Sequence, residues 1–400
     1  MNKSPLWTKD FIGISLSNFF LFMTFYFLLV TLPSYALEDL HSNESGAGLM
    51  TTVFLLSAII TRPIAGKWIE RSGPRNVLLT ALIVFLGASF LYFFPNSMSG
   101  FLFIRFLHGI GFGMATTVTG AIVANIIPIS RRGEGMGYFI MSTNLAMVLG
   151  PFIGLTTIQH FGPNVLFILS IIGAFAALLA GISVKLSKRK PILSPQQGKV
   201  PFSFKNFFEA SAVPISLVGA FFALVYSSIL SFVSVYANSI HLGDVSSLFF
   251  VVYAIVLLLS RPFTGRWFDL HGPNVIVFPS IILFAIGMFI LSKSGTSSVF
   301  LLSAGIIGLG WGTLFPTFQT IAIQDSEPKK KGLATATFLS IFDTGIGLGS
   351  FLVGIFVTKI GFSSFYLLSS IYILVGVILY YFLHTRKQKA IKGKLERDLV

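Results

Sequence analysis

The sequence that decides the fold is TRPIAGKWIE at residues 61–70, which is followed by Gly73-Pro74. The chain repeats this stretch as SRPFTGRWFD at residues 260–269, followed by Gly272-Pro273. The two copies lie 199 positions apart in a chain of 400 residues. A repeat spaced by half the chain length indicates two copies of one structural unit rather than two unrelated domains.

The same spacing holds over most of each half. The glycine pairs that keep it are Gly109 and Gly308, Gly111 and Gly310, Gly113 and Gly312, Gly150 and Gly349, and Gly162 and Gly361. We therefore predict an N-terminal unit at residues 1–186 and a C-terminal unit at residues 212–385. A proline-containing cytoplasmic connector at residues 187–211 joins them, and a basic tail follows at residues 386–400.

The composition is that of a membrane protein. Hydrophobic residues make up 54% and charged residues 10% of the chain, whereas soluble proteins carry about 25% charged residues. The apolar residues form blocks of about 20, the length that a helix needs to cross a bilayer. The blocks lie near residues 11–32, 46–68, 77–94, 101–127, 135–158, 165–184, 213–237, 246–267, 275–291, 299–323, 332–357 and 365–383. This pattern predicts an all-α integral membrane protein with about twelve transmembrane helices in two pseudo-symmetric six-helix bundles.

The formal net charge of +14 indicates how the chain is oriented in the membrane. Lysines and arginines fall in alternate connections, among them the loop with Lys67 and Arg71, the central connector and the tail. The intervening connections carry acidic residues such as Glu38 and Asp39. By the positive-inside rule, both termini and the connector are cytoplasmic, in a multi-pass protein of the plasma membrane. We expect a monomer whose partners are the lipid bilayer, a small-molecule substrate and protons, with no nucleic acid.

Several kinds of chemistry are missing from the sequence. Cysteine is absent, which removes disulfides, thiolate metal sites and cysteine nucleophiles. The six histidines are scattered and form no metal-spaced pair. No paired carboxylates and no nucleophile–base set emerge. We therefore expect no enzyme activity, no metal site and no cofactor, with a proton gradient as the energy source.

The most specific motif is GKWIERSGPR at residues 66–75. It resembles the cytoplasmic signature of the major facilitator superfamily, Gly-x-x-x-Asp-Arg-x-Gly-Arg-Lys/Arg, and the whole chain resembles the twelve-span drug:proton antiporters of that family. The resemblance implies the major facilitator fold and a carboxylate that latches the cytoplasmic side against a helix N-terminus. The matching residues are Gly66, Glu70, Arg71, Gly73 and Arg75, and the second copy keeps Asp269 but lacks the basic residues.

A second motif, AMVLGPFIG at residues 146–154, lies in the fifth span. Small residues four apart let helices approach backbone to backbone, and a proline kinks the helix. The stretch is similar to the Gly-x-x-x-Gly-Pro-x-x-Gly signature of antiporters in the same family, which implies export rather than import. The matching residues are Ala146, Gly150, Pro151 and Gly154.

Arg105 is a candidate for proton coupling. An arginine within a span costs about 2.5–3.5 kcal/mol, so it is expected to face a cavity or a partner. RFLHG at residues 105–109 resembles the fourth-span Arg-x-x-x-Gly motif of the family, whose arginine is associated with proton transfer. The alternative is an arginine that reaches the membrane surface. His108 is also a candidate because histidine titrates near neutrality, although a hydrogen-bonded structural histidine is the stronger expectation.

Asp343 is the one carboxylate that we place well within the hydrocarbon, in the eleventh span. A buried carboxyl group can take up and release protons near neutrality. Its repeat counterpart is Asn144, so packing of the fold does not require the acid. A paired structural aspartate is the alternative. Glu134 is a further coupling candidate beside Arg131 and Arg132, where an ion pair at the gate is the alternative.

In the family fold, spans one, four, seven and ten of the linear order line the cavity. The polar side chains of these spans are mostly uncharged and are mixed with aromatic rings, which suits a lipophilic or amphipathic solute. The cavity candidates are Asn18, Tyr26, Thr116, Asn125, Tyr226, Tyr236, Trp311 and Gln319.

The leading hypothesis is a secondary active transporter that couples efflux of small amphipathic or lipophilic compounds to protons by alternating access. An exporter or importer of one specific metabolite, such as a metallophore or a sugar, is the second hypothesis. A non-transporting membrane sensor is the third. It would predict a large soluble segment or the loss of the gate carboxylates, and the sequence has neither feature.

Overall fold

The computed structural model describes residues 5–128, 131–185, 208–327 and 330–386, without the side chains of residues 70, 132–134, 262, 269, 331 and 332. Within these ranges the regular structure is helical, and no strand is present. The long helices are α1 Lys9–Glu38, α2 Glu44–Ser72, α3 Pro74–Leu91, α4 Met98–Ile126, α5 Arg132–Ser183, α6 Val213–Ser239, α7 Ser246–His271, α8 Asn274–Ser292, α9 Ser297–Gln324, α10 Lys331–Ile360 and α11 Phe362–Tyr380.

All eleven helices contain a segment long and apolar enough to cross a membrane. The longest, α5, consists of two helical segments that meet at Gly162, where φ is 78° and ψ is 178°. The segments on either side of this glycine correspond to the fifth and sixth predicted spans. Counted this way, the described residues contain the twelve spans that the sequence predicts, and the all-α membrane fold class is confirmed.

The chain divides into two compact units, residues 1–204 and 205–400. Helices α1–α5 belong to unit 1 and helices α6–α11 to unit 2. Most of the predicted connector, and the tail from residue 387 onward, lie outside the described residues. The exact ends of the two predicted units therefore stay a prediction.

The same backbone conformations recur in both units. Gly73 and Gly272 end α2 and α7 with φ of 79° and 81°, and Gly162 and Gly361 have φ of 78° and 74°. Only glycine adopts such values without strain, which explains why the repeat keeps a glycine at these turns. Equivalent side chains also cap equivalent helices, since the hydroxyls of Ser97 and Thr296 accept from the backbone at the starts of α4 and α9.

The repeat extends to helix packing. A Cβ atom at Gly109 would overlap the carbonyl oxygen of Phe54, and one at Gly308 would overlap that of the corresponding residue, Tyr253. The backbone of α4 therefore touches that of α2, and α9 touches α7, in the close contact that small residues allow in membranes. The duplication seen in the sequence is a duplication of packing.

Candidate functional site

Arg105 lies on α4 in the interior of unit 1 with 0% exposure. Its Nε donates to the carbonyl oxygen of Met50 on α2 at 2.9 Å, and its Nη1 donates to the hydroxyl of Tyr92 at 3.3 Å. Tyr92 immediately follows α3. The guanidinium carbon lies 4.1 Å from the centroid of the Phe54 ring, a cation–π contact. One buried charge thus joins three helices.

The hydrogen bonds around Arg105 run in one direction. A guanidinium can only donate, so the Tyr92 oxygen accepts from Arg105, and the assignment that gives the Tyr92 hydrogen an acceptor directs it to Nδ1 of His108 at 3.0 Å. Nδ1 is therefore the acceptor nitrogen, and the hydrogen of the neutral ring sits on Nε2. That nitrogen faces the Ser89 hydroxyl at 3.4 Å, and Ser89 donates to the carbonyl oxygen of Phe85 at 3.0 Å. In this assignment every ring nitrogen of a neutral His108 has a hydrogen-bond partner, which gives the residue a structural role.

This cluster belongs to unit 1 alone. The repeat counterparts of Arg105, His108 and Tyr92 are an alanine, an isoleucine and a leucine, at residues 304, 307 and 291. The fold can therefore be built at these positions without any polar group. A fully buried charge where the fold does not require one marks a functional candidate.

Asn18 forms a second polar junction in unit 1 and is 2% exposed. Its Nδ2 donates to the hydroxyls of Ser142 at 3.0 Å and Thr143 at 2.8 Å, and its Oδ1 accepts from Thr119 at 3.5 Å. These bonds connect α1, α4 and the first segment of α5. The amide named as a cavity candidate is thus bound within its own bundle.

In the described part of unit 2, an aromatic cluster surrounds Trp311. Trp311 on α9 is 1% exposed, and its ring lies 4.6 Å from Tyr226 on α6, 5.4 Å from Phe284 on α8 and 6.0 Å from Phe342 on α10. The next residue on α10 is Asp343, which is half-buried. The structure therefore places the coupling candidate of unit 2 directly after a ring of this cluster.

The loop motif forms the turn between α2 and α3. Gly73 ends α2, and the next helix starts at Pro74, whose fixed φ suits a first helical position. Arg71 and Arg75 are exposed on either side of this turn, and Gly66 lies about two helical turns before Gly73 on α2. The side chains of Glu70, Asp269 and Glu134 lie outside the described residues, so the latch and the Glu134 ion pair stay predictions.

The motif in α5 packs against α1. A Cβ atom at Gly150 would lie 2.7 Å from that of Tyr26, and one at Gly154 would lie 2.7 Å from that of Phe27. Ala146 and Pro151 are buried on the same helix. In unit 2 the proline position holds Ser350, which donates to the Ser231 hydroxyl at 2.8 Å across α10 and α6. The proline-containing seam is therefore a feature of unit 1.

The remaining cavity candidates differ in exposure within their units. Tyr236 is buried and donates to the carbonyl oxygen of Leu291 at 3.0 Å. Tyr26, Thr116 and Gln319 are half-buried, and Asn125 is exposed. Their place in a cavity stays a prediction.

Sequence reasoning missed Tyr92 and Phe54, the two side chains that hold Arg105. Comparison of the two halves of the sequence could have identified Tyr92, because the corresponding residue of the second half, Leu291, is apolar. Phe54 carried no such signal, since its counterpart Tyr253 is also aromatic.

Comparison with known proteins places these features in a family. The family model of the Major Facilitator Superfamily matches residues 14–327 and 243–399. The staphylopine export protein of Staphylococcus aureus is 23% identical over 357 residues, 86% of this chain and 88% of the relative. Multidrug resistance protein 1 of Bacillus subtilis is 26% identical over 343 residues, 82% of this chain and 85% of the relative. A solved bacterial homologue of the human lysosomal transporter Spinster has a TM-score of 0.75 at 14% identity and covers 96% of this chain and 98% of its own.

Proposed function

Since the chain belongs to the major facilitator superfamily of membrane transporters, we propose that it exports small amphipathic or lipophilic compounds by alternating access, driven by protons. The observation that supports export is the contact between the antiporter-like motif of α5 and helix α1. Gly150, Pro151 and Gly154 match the antiporter signature, and both glycines pack directly against α1. The names of two relatives, an export protein and a multidrug resistance protein, support the same direction.

Proton coupling is assigned to Asp343, with Arg105 as the fixed charge of the other unit. A carboxyl group within a span can exist in both protonation states, whereas a guanidinium stays charged. In this proposal, an external proton neutralises Asp343 and favours the half-cycle that returns the empty protein. His108 supports Arg105 through Tyr92 and does not carry the proton.

The aromatic cluster around Trp311 supports the solute class. Four helices of unit 2 contribute rings to it, and such a surface binds apolar bodies with little demand for fixed charge.

We place the protein in the plasma membrane as a monomer with both termini and the connector cytoplasmic. Glu70 is proposed to latch the cytoplasmic side.

Export of one specific metabolite is the second candidate function. The observation in its favour is the relative named for the export of staphylopine, which aligns over 86% of this chain. It differs from the first proposal in selectivity, because a specific exporter would leave unrelated compounds in the cell.

The test compares cells with and without the gene. Their content of metabolites and of a panel of acidic, neutral and cationic aromatic dyes is measured with and without a protonophore. We expect at least one compound to be retained without the gene, and the protonophore to abolish the difference. Equal content in both strains, or a difference that persists with the protonophore, would contradict proton-driven export.

A further inference from the structure

One edge of the Arg105 guanidinium is unused. Nε and Nη1 have the partners described above, whereas Nη2 has no hydrogen-bond partner among the residues that the structure describes. The residue is fully buried, so solvent does not replace the missing partner. A buried donor without an acceptor is destabilising, and more so when the group is charged. The site is therefore incomplete in this arrangement.

An anion would complete the hydrogen bonding of Arg105. The hydrogen-bond and cation–π partners that the structure shows for the guanidinium, among the described residues, are neutral: a backbone carbonyl, a phenol and a phenyl ring. The first half of the chain has six acidic residues, and all lie at the ends of its predicted spans, at positions 10, 38, 39, 44, 70 and 134. No span of this half can therefore supply a counter-ion from its interior. A buried charge left without a counter-ion is strongly destabilising.

A row of aromatic rings extends from the guanidinium toward α1. The ring of Phe54, which covers Arg105, stacks on Phe25 with centroids 5.2 Å apart. The ring of Phe112 lies 4.8 Å from Phe25 and 5.1 Å from Phe22. Phe22 is half-buried, so the row connects the buried charge with a more accessible part of unit 1. A solute with an acidic head and an apolar body would match both features.

We propose that Arg105 binds the acidic group of the transported solute through Nη2, and that the solute is an amphipathic monoacid. The inference rests on the proposed export function and names its substrate class. Met50 and Tyr92 hold the guanidinium in place, so that its remaining N–H groups form a preset fork for a carboxylate. Phe54 turns aside to admit the acid, and the neighbouring rings take its apolar body. The same charge disfavours lipophilic cations, because two like charges repel strongly in a low-dielectric site.

The test measures binding without any gradient, so its outcome is independent of whether transport occurs. The full chain in nanodiscs is unfolded thermally with naphthoate, naphthamide or naphthylmethylamine, which share one ring system and differ in charge. At about ten times its Kd, naphthoate is expected to raise Tm by about 2 °C. The amide and the amine are expected to leave Tm unchanged. No shift with naphthoate, or an equal shift with the amide, would overturn the proposal.

Two variants and a control locate the effect. Arg105→Met is expected to lose the response to naphthoate, and Arg105→Lys, which keeps the charge but not the fork, to bind about tenfold more weakly. The control Lys293→Met removes an exposed basic residue of unit 2 and should respond like the unmodified chain. Retention of the full response by both Arg105 variants would overturn the proposal. So would a shift of the same size with chloride, which would assign the site to an inorganic anion.

Discussion

Tyr92 links Arg105 to His108 and gives the buried hydrogen bonds their direction. Its oxygen accepts from Nη1 of Arg105 at 3.3 Å, and its hydrogen is directed at Nδ1 of His108 at 3.0 Å. Because the guanidinium can only donate, the assignment that satisfies the Tyr92 hydrogen makes Nδ1 of His108 an acceptor. A single phenol therefore connects the hydrogen bonds of both groups.

Tyr92→Phe is expected to destabilise unit 1. The change removes the acceptor of Arg105 and the donor to His108 while leaving both groups buried. An unsatisfied buried polar group costs about 1–3 kcal/mol, so thermal unfolding in nanodiscs should begin at a lower temperature. Tyr381→Phe, at an exposed position of unit 2, is the matched control. Equal unfolding of the two variants would show that the Tyr92 hydroxyl contributes nothing.

His108 is expected to remain neutral with its hydrogen on Nε2. Protonation would place a second donor against Tyr92, whose hydrogen would then lose its acceptor. Nitrogen-15 NMR of histidine-labelled protein, with His108→Gln to assign the signal, reports the tautomer directly. We expect no change from about pH 6 to about pH 8, the range in which free histidine titrates. A signal that titrates there, or a hydrogen on Nδ1, would contradict the assigned direction.

Gly109→Ala is expected to disrupt the contact between α2 and α4. The added Cβ would overlap the carbonyl oxygen of Phe54, and backbone cannot move aside as a flexible side chain can. Overpacking of this kind costs about 1–3 kcal/mol. Gly120→Ala on the same helix is the control, since a Cβ there meets nothing within 4 Å. In thermal unfolding, Gly109→Ala should have a lower Tm than Gly120→Ala. Equal Tm values would show that the close contact at Gly109 does not stabilise the protein.

Asp343→Asn is expected to abolish uphill export while leaving downhill exchange measurable. An amide cannot take up a proton, but it preserves the size of the side chain on α10. The measurement is solute accumulation in proteoliposomes with and without an imposed pH gradient, using the solute that the cell comparison identifies. Asp244→Asn, in the turn before α7, serves as the control. Unchanged pH-driven accumulation by the Asp343 variant would exclude this carboxylate as the coupling group.

Glu70→Gln is expected to shift the protein toward the inward-open state, because an amide binds a helix N-terminus less strongly than a carboxylate. The chain has no cysteine, so single cysteines can be introduced and labelled without background. Labelling from the cytoplasmic side should increase in the variant. An unchanged labelling rate would count against the latch.

The sequence predicted the fold well because its two strongest signals are nearly independent of tertiary context. Span length follows from bilayer thickness, and the repeat was visible in the glycines that the turns and helix contacts require. Gly162 illustrates both signals. It is one of the repeated glycines, and its non-helical backbone separates the two segments of α5 that correspond to the fifth and sixth predicted spans.

The candidate site was predictable only in part. Arg105 stood out because a charge within a span is costly, but its partners depend on which faces of α2 and α3 turn toward α4. Periodicity gives no such information in spans that are apolar on every side. Asn18 was assigned to a cavity for the same reason, although its amide is bonded to α4 and α5.

The most direct test of alternating access uses spin labels on two pairs of exposed, repeat-related positions. One pair is Ser72 and His271, at the ends of α2 and α7, and the other is Asn96 and Gly295, before α4 and α9. The distances between the spin labels are measured by double electron–electron resonance spectroscopy in nanodiscs at acidic and alkaline pH. Alternating access predicts that one distance lengthens as the other shortens. Two distances that stay constant, or that change in the same direction, would contradict it.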